Sequence, residues 1–230
     1  MGVFALKLAK VSLIGLAAVV FLGTVPILAS VAKGSSWEEV AGAIAIDSTS
    51  SPRAAQREVA ATCDRLVYFA GWADKFEQVL PRVMRAHGID MWIVAVKENH
   101  REPLWEDLGR GYVSGIGYYV FTDRGGERIE RAALGPSGYL IEESGAYDLF
   151  APASQLAEFV KARDPKRIGV NISEELGSAD GLSYSLHGHL VKTLGEPYAS
   201  RLVSAEHLVS EFRSRRVASE IVAFGESAGR

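Results

Sequence analysis

The sequence predicts an α/β fold: a mixed β-sheet flanked by helices, preceded by an apolar N-terminal helix. Three observations carry this expectation. The elements run in the order helix, strand, hairpin, helix, strand, helix, strand, helix. The run Met91-Trp92-Ile93-Val94-Ala95-Val96 is almost continuously apolar, the pattern of a strand buried on both faces. Two β-rich runs, Tyr118 to Asp123 and Glu127 to Leu134, flank Arg124-Gly125-Gly126 and read as an antiparallel hairpin.

Each element has a local cause. Residues 54–87 are helical in pattern, with Gly71 and Pro81 as break or kink points. Phe76, Val79, Leu80, Val83 and Met84 fall at i, i+3, i+4, i+7 and i+8 and form one apolar stripe. Gly88 is placed as the left-handed residue that ends this helix. Lys97 to Ser114 is a loop. Ala153 to Ala162 is helical, with Leu156, Phe159 and Val160 on one face, and Asp164-Pro165 ends it. Arg167 to Asn171 is a short strand. Ser183 to Leu194 is a helix with Leu186, Leu190 and Leu194 in register and Gly195 at its end, and Arg201 to Ser204 is a further strand. Phe212, Val217, Ile221 and Phe224 put Glu211 to Arg230 at helical spacing, with no proline or capping residue to divide it.

The N-terminus has a different character. Lys7 and Lys10 precede an uncharged apolar run, Val11 to Ala29, and Ser30-Val31-Ala32 offers small residues for signal-peptidase cleavage after Ala32. Residues 1–32 thus read as a cleaved signal peptide or, through residues 11–29, as an uncleaved membrane anchor. Both place the two lysines on the cytoplasmic side and the body of the chain outside the cytoplasm, in the periplasmic or extracytoplasmic space. Residues 33–73 form a Ser-, Gly- and Ala-rich spacer and a lead helix, and 74–208 the α/β domain. Cys63 is the single cysteine, so no internal disulfide forms, and its helical context AATCDRL makes it a small buried hydrophobe.

Other chemistry is weighed mainly by exclusion. A net charge of −3 without a basic stripe excludes a nucleic-acid binder. Gly109, Gly111, Gly115 and Gly117 imitate a phosphate loop, but position 114 is Ser and the glycines precede a strand instead of opening a helix. His187 and His189 stand two apart on a predicted helix, where they diverge and cannot share a metal. Glu142-Glu143 and Glu174-Glu175 are adjacent and read as solvated pairs, with Ser173 available to cap the start of a helix. No G-x-S-x-G, H-E-x-x-H or C-x-x-C is present.

Three segments, in order, carry a family resemblance: Val79 to Val94 (VLPRVMRAHGIDMWIV), Arg163 to Leu208 (RDPKRIGVNISEELGSADGLSYSLHGHLVKTLGEPYASRLVSAEHL) and Phe212 to Ile221 (FRSRRVASEI). Together they resemble the N-terminal domain of the creatinase/prolidase/Xaa-Pro aminopeptidase family, over roughly two thirds of the chain. The resemblance implies that residues 209–230 begin a helix linking to a separate catalytic domain. That domain would bind two divalent metals (manganese, cobalt or zinc) through two Asp, one His and two Glu, and cleave the peptide bond before proline. None of those ligands maps onto this chain, so no catalytic or metal-binding residue and no resident cofactor is expected in it. What the resemblance implies for the N-terminal domain is a part in oligomerisation, with itself or a full-length relative, and in shaping access to the active site. Asn99, His100, Arg101, Glu102 and Trp105, in the loop after the first strand of the domain, are the candidate substrate-access or oligomer-contact residues, with a solvated loop as the alternative. The competing expectation is a stand-alone binding or scaffold module at the cell envelope, whose last helix is docked.

Overall fold

The computed structural model describes residues 17–22, 25–30 and 71–228. The chain divides into two units, Met1–Val67 and Tyr68–Arg230.

In the first unit, β1 (Ala17–Leu22) and β2 (Val25–Ser30) pair antiparallel, with Val19 opposite Leu28 and Leu22 opposite Val25. This corrects the apolar helix expected over these positions. Val19, Val20, Val25 and Ile27 are β-branched and favour extended backbone, while Pro26 is a poor helix-interior residue. Among the described residues no helix is long and apolar enough to cross a membrane. Lys7, Lys10, the Ala32 cleavage site, the spacer and Cys63 lie outside the described residues.

The second unit is built on a six-stranded mixed sheet with helices on both faces. Residues 71–78 are helical and continue into α1 (Leu80–Ala86), with Pro81 in the first turn of α1, where no intrahelical N–H is lost. His87 caps the end and Gly88 follows at φ +61°, a left-handed conformation that glycine adopts without strain. The chain then enters β3 (Met91–Lys97), whose first six residues are buried. β4 (Ile116–Asp123) and β5 (Ile129–Leu134) form the hairpin. α2 (Tyr139–Glu143), β6 (Leu149–Ala151), α3 (Leu156–Arg163), β7 (Ile168–Val170), α4 (Tyr184–Leu194) and β8 (Leu202–Ser204) follow. The strand order is β6-β5-β4-β3-β7-β8, antiparallel at β5-β4 and β4-β3 and parallel at β6-β5, β3-β7 and β7-β8.

Strand periodicity sorts the core into two layers. Trp92, Val94, Val96, Tyr119 and Phe121 face the helical segment 71–78, α1 and the C-terminal helices, where they meet Phe76, Leu80, Val83 and Phe212. Met91, Ile93, Ala95, Tyr118 and Val120 face α3 and α4, through Leu156, Val160, Leu186 and Leu190. Each fully buried side chain of this size contributes roughly 1.5–3 kcal/mol of apolar transfer energy. Asp90 fixes the β3–β7 register, because its Oδ2 accepts from the backbone N–H groups of Lys166 (2.8 Å) and Arg167 (2.9 Å).

Local signals end the helices as expected at α3 and α4. Asp164 takes the left-handed cap at φ 44° after α3, while Ser183 accepts from the Leu186 N–H and Gly195 closes α4. Ser173 accepts from the N–H groups of Glu175 and Leu176, but only a short 3₁₀ turn at Gly177–Ala179 follows. The expected single helix over Glu211 to Arg230 is corrected to two: α5 (Glu206–Ser214) and α6 (Ala218–Ala228). Arg215 is extended (φ −73°, ψ 138°), and Glu220 Oε2 accepts from the Val217 N–H at 3.0 Å, so the glutamate half of a capping box restarts the helix at a point with no capping hydroxyl.

Candidate functional site

The segment between β3 and β4, residues 98–115, is ordered by its own anchors. Leu104 and Leu108 are fully buried, and the Tyr147 hydroxyl donates to Leu108 O at 2.7 Å. The Trp105 indole donates to Gly111 O at 3.1 Å, and the guanidinium groups of Arg101 and Arg110 lie 5.0 and 5.8 Å from the centre of its ring. Both arginines also reach Glu106, Arg101 at 2.8 Å. Asn99 (φ 58°) and Arg110 (φ 57°) adopt left-handed backbone, which asparagine tolerates and which costs arginine about 1–2 kcal/mol.

This segment and the end of β3 line an open pocket of about 700 Å³. Asn99, His100, Arg101, Glu102 and Trp105 all line it, together with the exposed Tyr112. The five candidate residues of the loop are therefore brought together in one concavity. Four of them are at least partly open to solvent; Glu102 is not, with 3% exposure.

Glu102 is the chemically distinctive group. Its Oε1 accepts from Asn171 Nδ2 at 2.8 Å, and Asn171 Oδ1 in turn accepts from the Trp92 indole N–H at 2.8 Å. The chain Trp92–Asn171–Glu102 thus runs from β3, through the residue after β7, into the pocket loop. Glu102 Oε2 has no hydrogen-bond partner and sits against Gly181, where any side chain would overlap it. Burial pushes the carboxyl up to about 7; hydrogen bonds from Asn171 and the Leu104 backbone act in the opposite sense, and the charge of Asp180 adds to the rise.

A second polar cluster lies behind the pocket loop. Asp107 Oδ2 is 3.2 Å from Arg213 Nε on α5, and burial raises the Asp107 carboxyl while Arg213 and Lys75 lower it. Lys75, 4% exposed, pairs with Glu220 Oε1 at 3.3 Å and lies 5.0 Å from the centre of the Phe212 ring. Ser219 Oγ donates to Asp74 at 2.8 Å. The pocket loop, the helical segment 71–78 and the α5–α6 joint are consequently held by one network.

His187 and His189 lie on α4 as the spacing implies, and His189 faces Thr193 at 3.3 Å. Among the described residues no three His, Cys, Asp or Glu side chains converge on a point. The glycine-rich stretch serves packing: Gly111 N–H donates to the Tyr119 hydroxyl at 3.1 Å, and a side chain there would strike that hydroxyl. Glu142, Glu143, Glu174 and Glu175 are exposed.

Sequence reasoning missed Asn171, Trp92, Gly181 and Asp107 as parts of the site. The available signal was a polar residue, Asn171, directly ending the apolar strand Ile168–Val170. Its partners come from 69 and 79 residues away, which no local pattern reports. Comparison with known proteins gives no match: no family model, no curated protein and no solved structure is similar to the chain at a significant level.

Proposed function

We propose that this chain supplies the exported, non-catalytic N-terminal portion of a Xaa-Pro aminopeptidase-like metallopeptidase, and that its role is to shape access to an active site housed in a separate domain and to take part in oligomerisation. The observation that carries this is the pocket after β3. Asn99, His100, Arg101, Glu102 and Trp105 converge on it, and its loop is ion-paired through Asp107 to Arg213 at the α5–α6 joint, the point at which the resemblance places the entry to a catalytic domain. The six-stranded mixed sheet with helices on both faces supports the same reading. The metals, manganese, cobalt or zinc, would belong to that other domain. Export rests on the apolar run at residues 11–29 with its preceding lysines, and the intact mass of the exported protein distinguishes cleavage after Ala32 from retention of the run.

The purified chain tests the non-catalytic assignment. With each of the three metals added, no release of the N-terminal residue from an Xaa-Pro peptide is expected. Metal-dependent turnover would overturn the assignment.

One observation favours a second reading, a stand-alone envelope module pairing with a full-length relative. The first turn of α6 is docked, by Ser219 on Asp74, Glu220 on Lys75 and the 4% exposed Val217. Such a module predicts a monodisperse soluble product with a protease-resistant α5–α6 joint.

A further inference from the structure

The pocket wall contains a carboxyl group set where a charge is poorly accommodated. Glu102 is 3% exposed, makes one side-chain hydrogen bond, and has its second oxygen unpartnered against Gly181. A buried carboxylate that keeps one oxygen unpartnered, with donors only from Asn171 and the Leu104 backbone, is less favoured than the neutral acid. The flanking chain is shallowly held. Residues 98–101 are exposed, Asn99 is in left-handed backbone, and Pro103 is exposed before the buried anchor Leu104. Glu102 is therefore the one buried side chain between the end of β3 and Leu104.

We propose that Glu102 is a proton-operated latch: as the neutral acid it holds residues 98–103 against Asn171 as the closed wall of the pocket, and on losing its proton it leaves that position and opens the wall. The Glu102 O–H bond breaks, its electron pair stays on the carboxylate and the proton goes to solvent; no other covalent bond changes. The latch goes beyond the proposed access role and does not depend on it, since it needs only the geometry of this loop.

The surroundings of Glu102 set the sign. β3 presents the neutral Trp92 indole, the end of β7 presents the neutral Asn171, and the segment after the 3₁₀ turn presents the Asp180 carboxylate, which disfavours a second negative charge. On its own loop, Arg101 is engaged with Glu106, and Glu98 accepts from the Gly115 N–H. A carboxyl whose pKa is raised to about 7 in the closed state, against an ordinary value of about 4.3 when released, favours closure fully in acid and loses that favour as pH rises through 7. The closed-to-open ratio falls about tenfold between roughly pH 6 and 8.

Amide hydrogen exchange on the full chain reads this ratio, once intrinsic exchange rates are divided out. The backbone N–H groups of Glu98, His100 and Trp105, which donate to Gly115, Lys97 and Glu102 carbonyls, are the reporters, and β4 amides are the control. Expected is a roughly tenfold loss of protection at the reporters between about pH 6 and 8 with β4 unchanged, and no such loss in Glu102→Gln, which is neutral at every pH. Equal pH dependence in wild type and Glu102→Gln, or an equal loss in β4, would overturn the latch. Should Glu102→Gln fail to fold, carbon-13 titration of the wild-type Glu102 carboxyl is read beside the exchange data: a midpoint that coincides with the loss of protection at the reporters supports the latch, and a midpoint in the ordinary carboxyl range, or one near 7 with protection unchanged, overturns it.

Discussion

Asp107 Oδ2 and Arg213 Nε stand 3.2 Å apart, joining the loop that builds the pocket to the last turn of α5. Behind them Lys75 reaches Glu220 on α6, so the pocket wall and the C-terminal joint share one set of charges. The joint and the loop are thereby in direct contact.

The members of this network differ in worth because they differ in burial. The Lys75 side chain is 5% exposed, and its removal takes one cation from Glu220, which keeps Arg216 at 3.5 Å and the Val217 N–H; Arg213, 42% exposed, forms a more solvent-screened pair. Lys75→Ala is expected to lower unfolding free energy by about 2 kcal/mol, and Arg213→Ala by less than about 1 kcal/mol, in urea titrations. Equal costs would show that the cluster is not graded by burial.

Asn171 bridges two buried groups and should be costly to truncate. Asn171→Ala leaves the Trp92 indole N–H and the Glu102 carboxyl without their partner, a loss of about 3 kcal/mol in urea unfolding followed by tryptophan fluorescence. Because the Asn171 hydrogen bond lowers the Glu102 carboxyl, its loss should also move the Glu102 titration midpoint upward.

Two carboxyls should make stability fall with pH in opposite directions, Asp123 in acid and Glu102 between roughly pH 4 and 7. The Arg85 guanidinium donates to both oxygens of Asp123, at 2.7 and 2.9 Å, and holds that carboxyl below its usual value. A depressed carboxylate contributes stability above its unfolded pKa of about 4, and that contribution is lost as pH falls through the lower folded value. Glu102, raised to about 7, acts in the reverse sense: its contribution is full below an unfolded value of about 4.3 and is lost as pH rises to about 7. Urea midpoints across pH should show Asp123→Asn flattening only the fall in acid and Glu102→Gln flattening only the fall between about pH 4 and 7.

Gly111 is required by space. A side chain there meets the Tyr119 hydroxyl and comes within 2.8 Å of Ile141 Cδ1. Gly111→Ala should cost about 1–3 kcal/mol by overpacking. Gly126→Ala, which meets nothing within 4 Å, should change stability by less than about 0.5 kcal/mol. Thermal unfolding of the two variants compares them.

Much of the fold was legible because local chemistry and tertiary packing agree there. The apolar run at Met91–Val96, the Gly125-Gly126 hairpin, the Gly88 cap and the Ser183–Gly195 helix each carry their own signal. β6 was not legible. It is three residues long, with Leu149 and Phe150 exposed, and exists by parallel pairing with β5. The break between α5 and α6 was hidden for a related reason, since its cap is a glutamate side chain acting three residues on, inside an apparently continuous helical pattern. At the site, residue types and loop position pointed to Asn99 through Trp105, but nothing local marked Glu102 as the buried member. Its burial depends on Gly181 and Asn171, which only the folded chain brings beside it.

The central proposal, a non-catalytic domain serving a separate metal-dependent active site, is tested most directly by reading the coding sequence at this locus beyond the Arg230 codon. The proposed role predicts, in one of the reading frames, two Asp, one His and two Glu ligands in a pita-bread domain. A downstream sequence without that ligand set in any frame would contradict it.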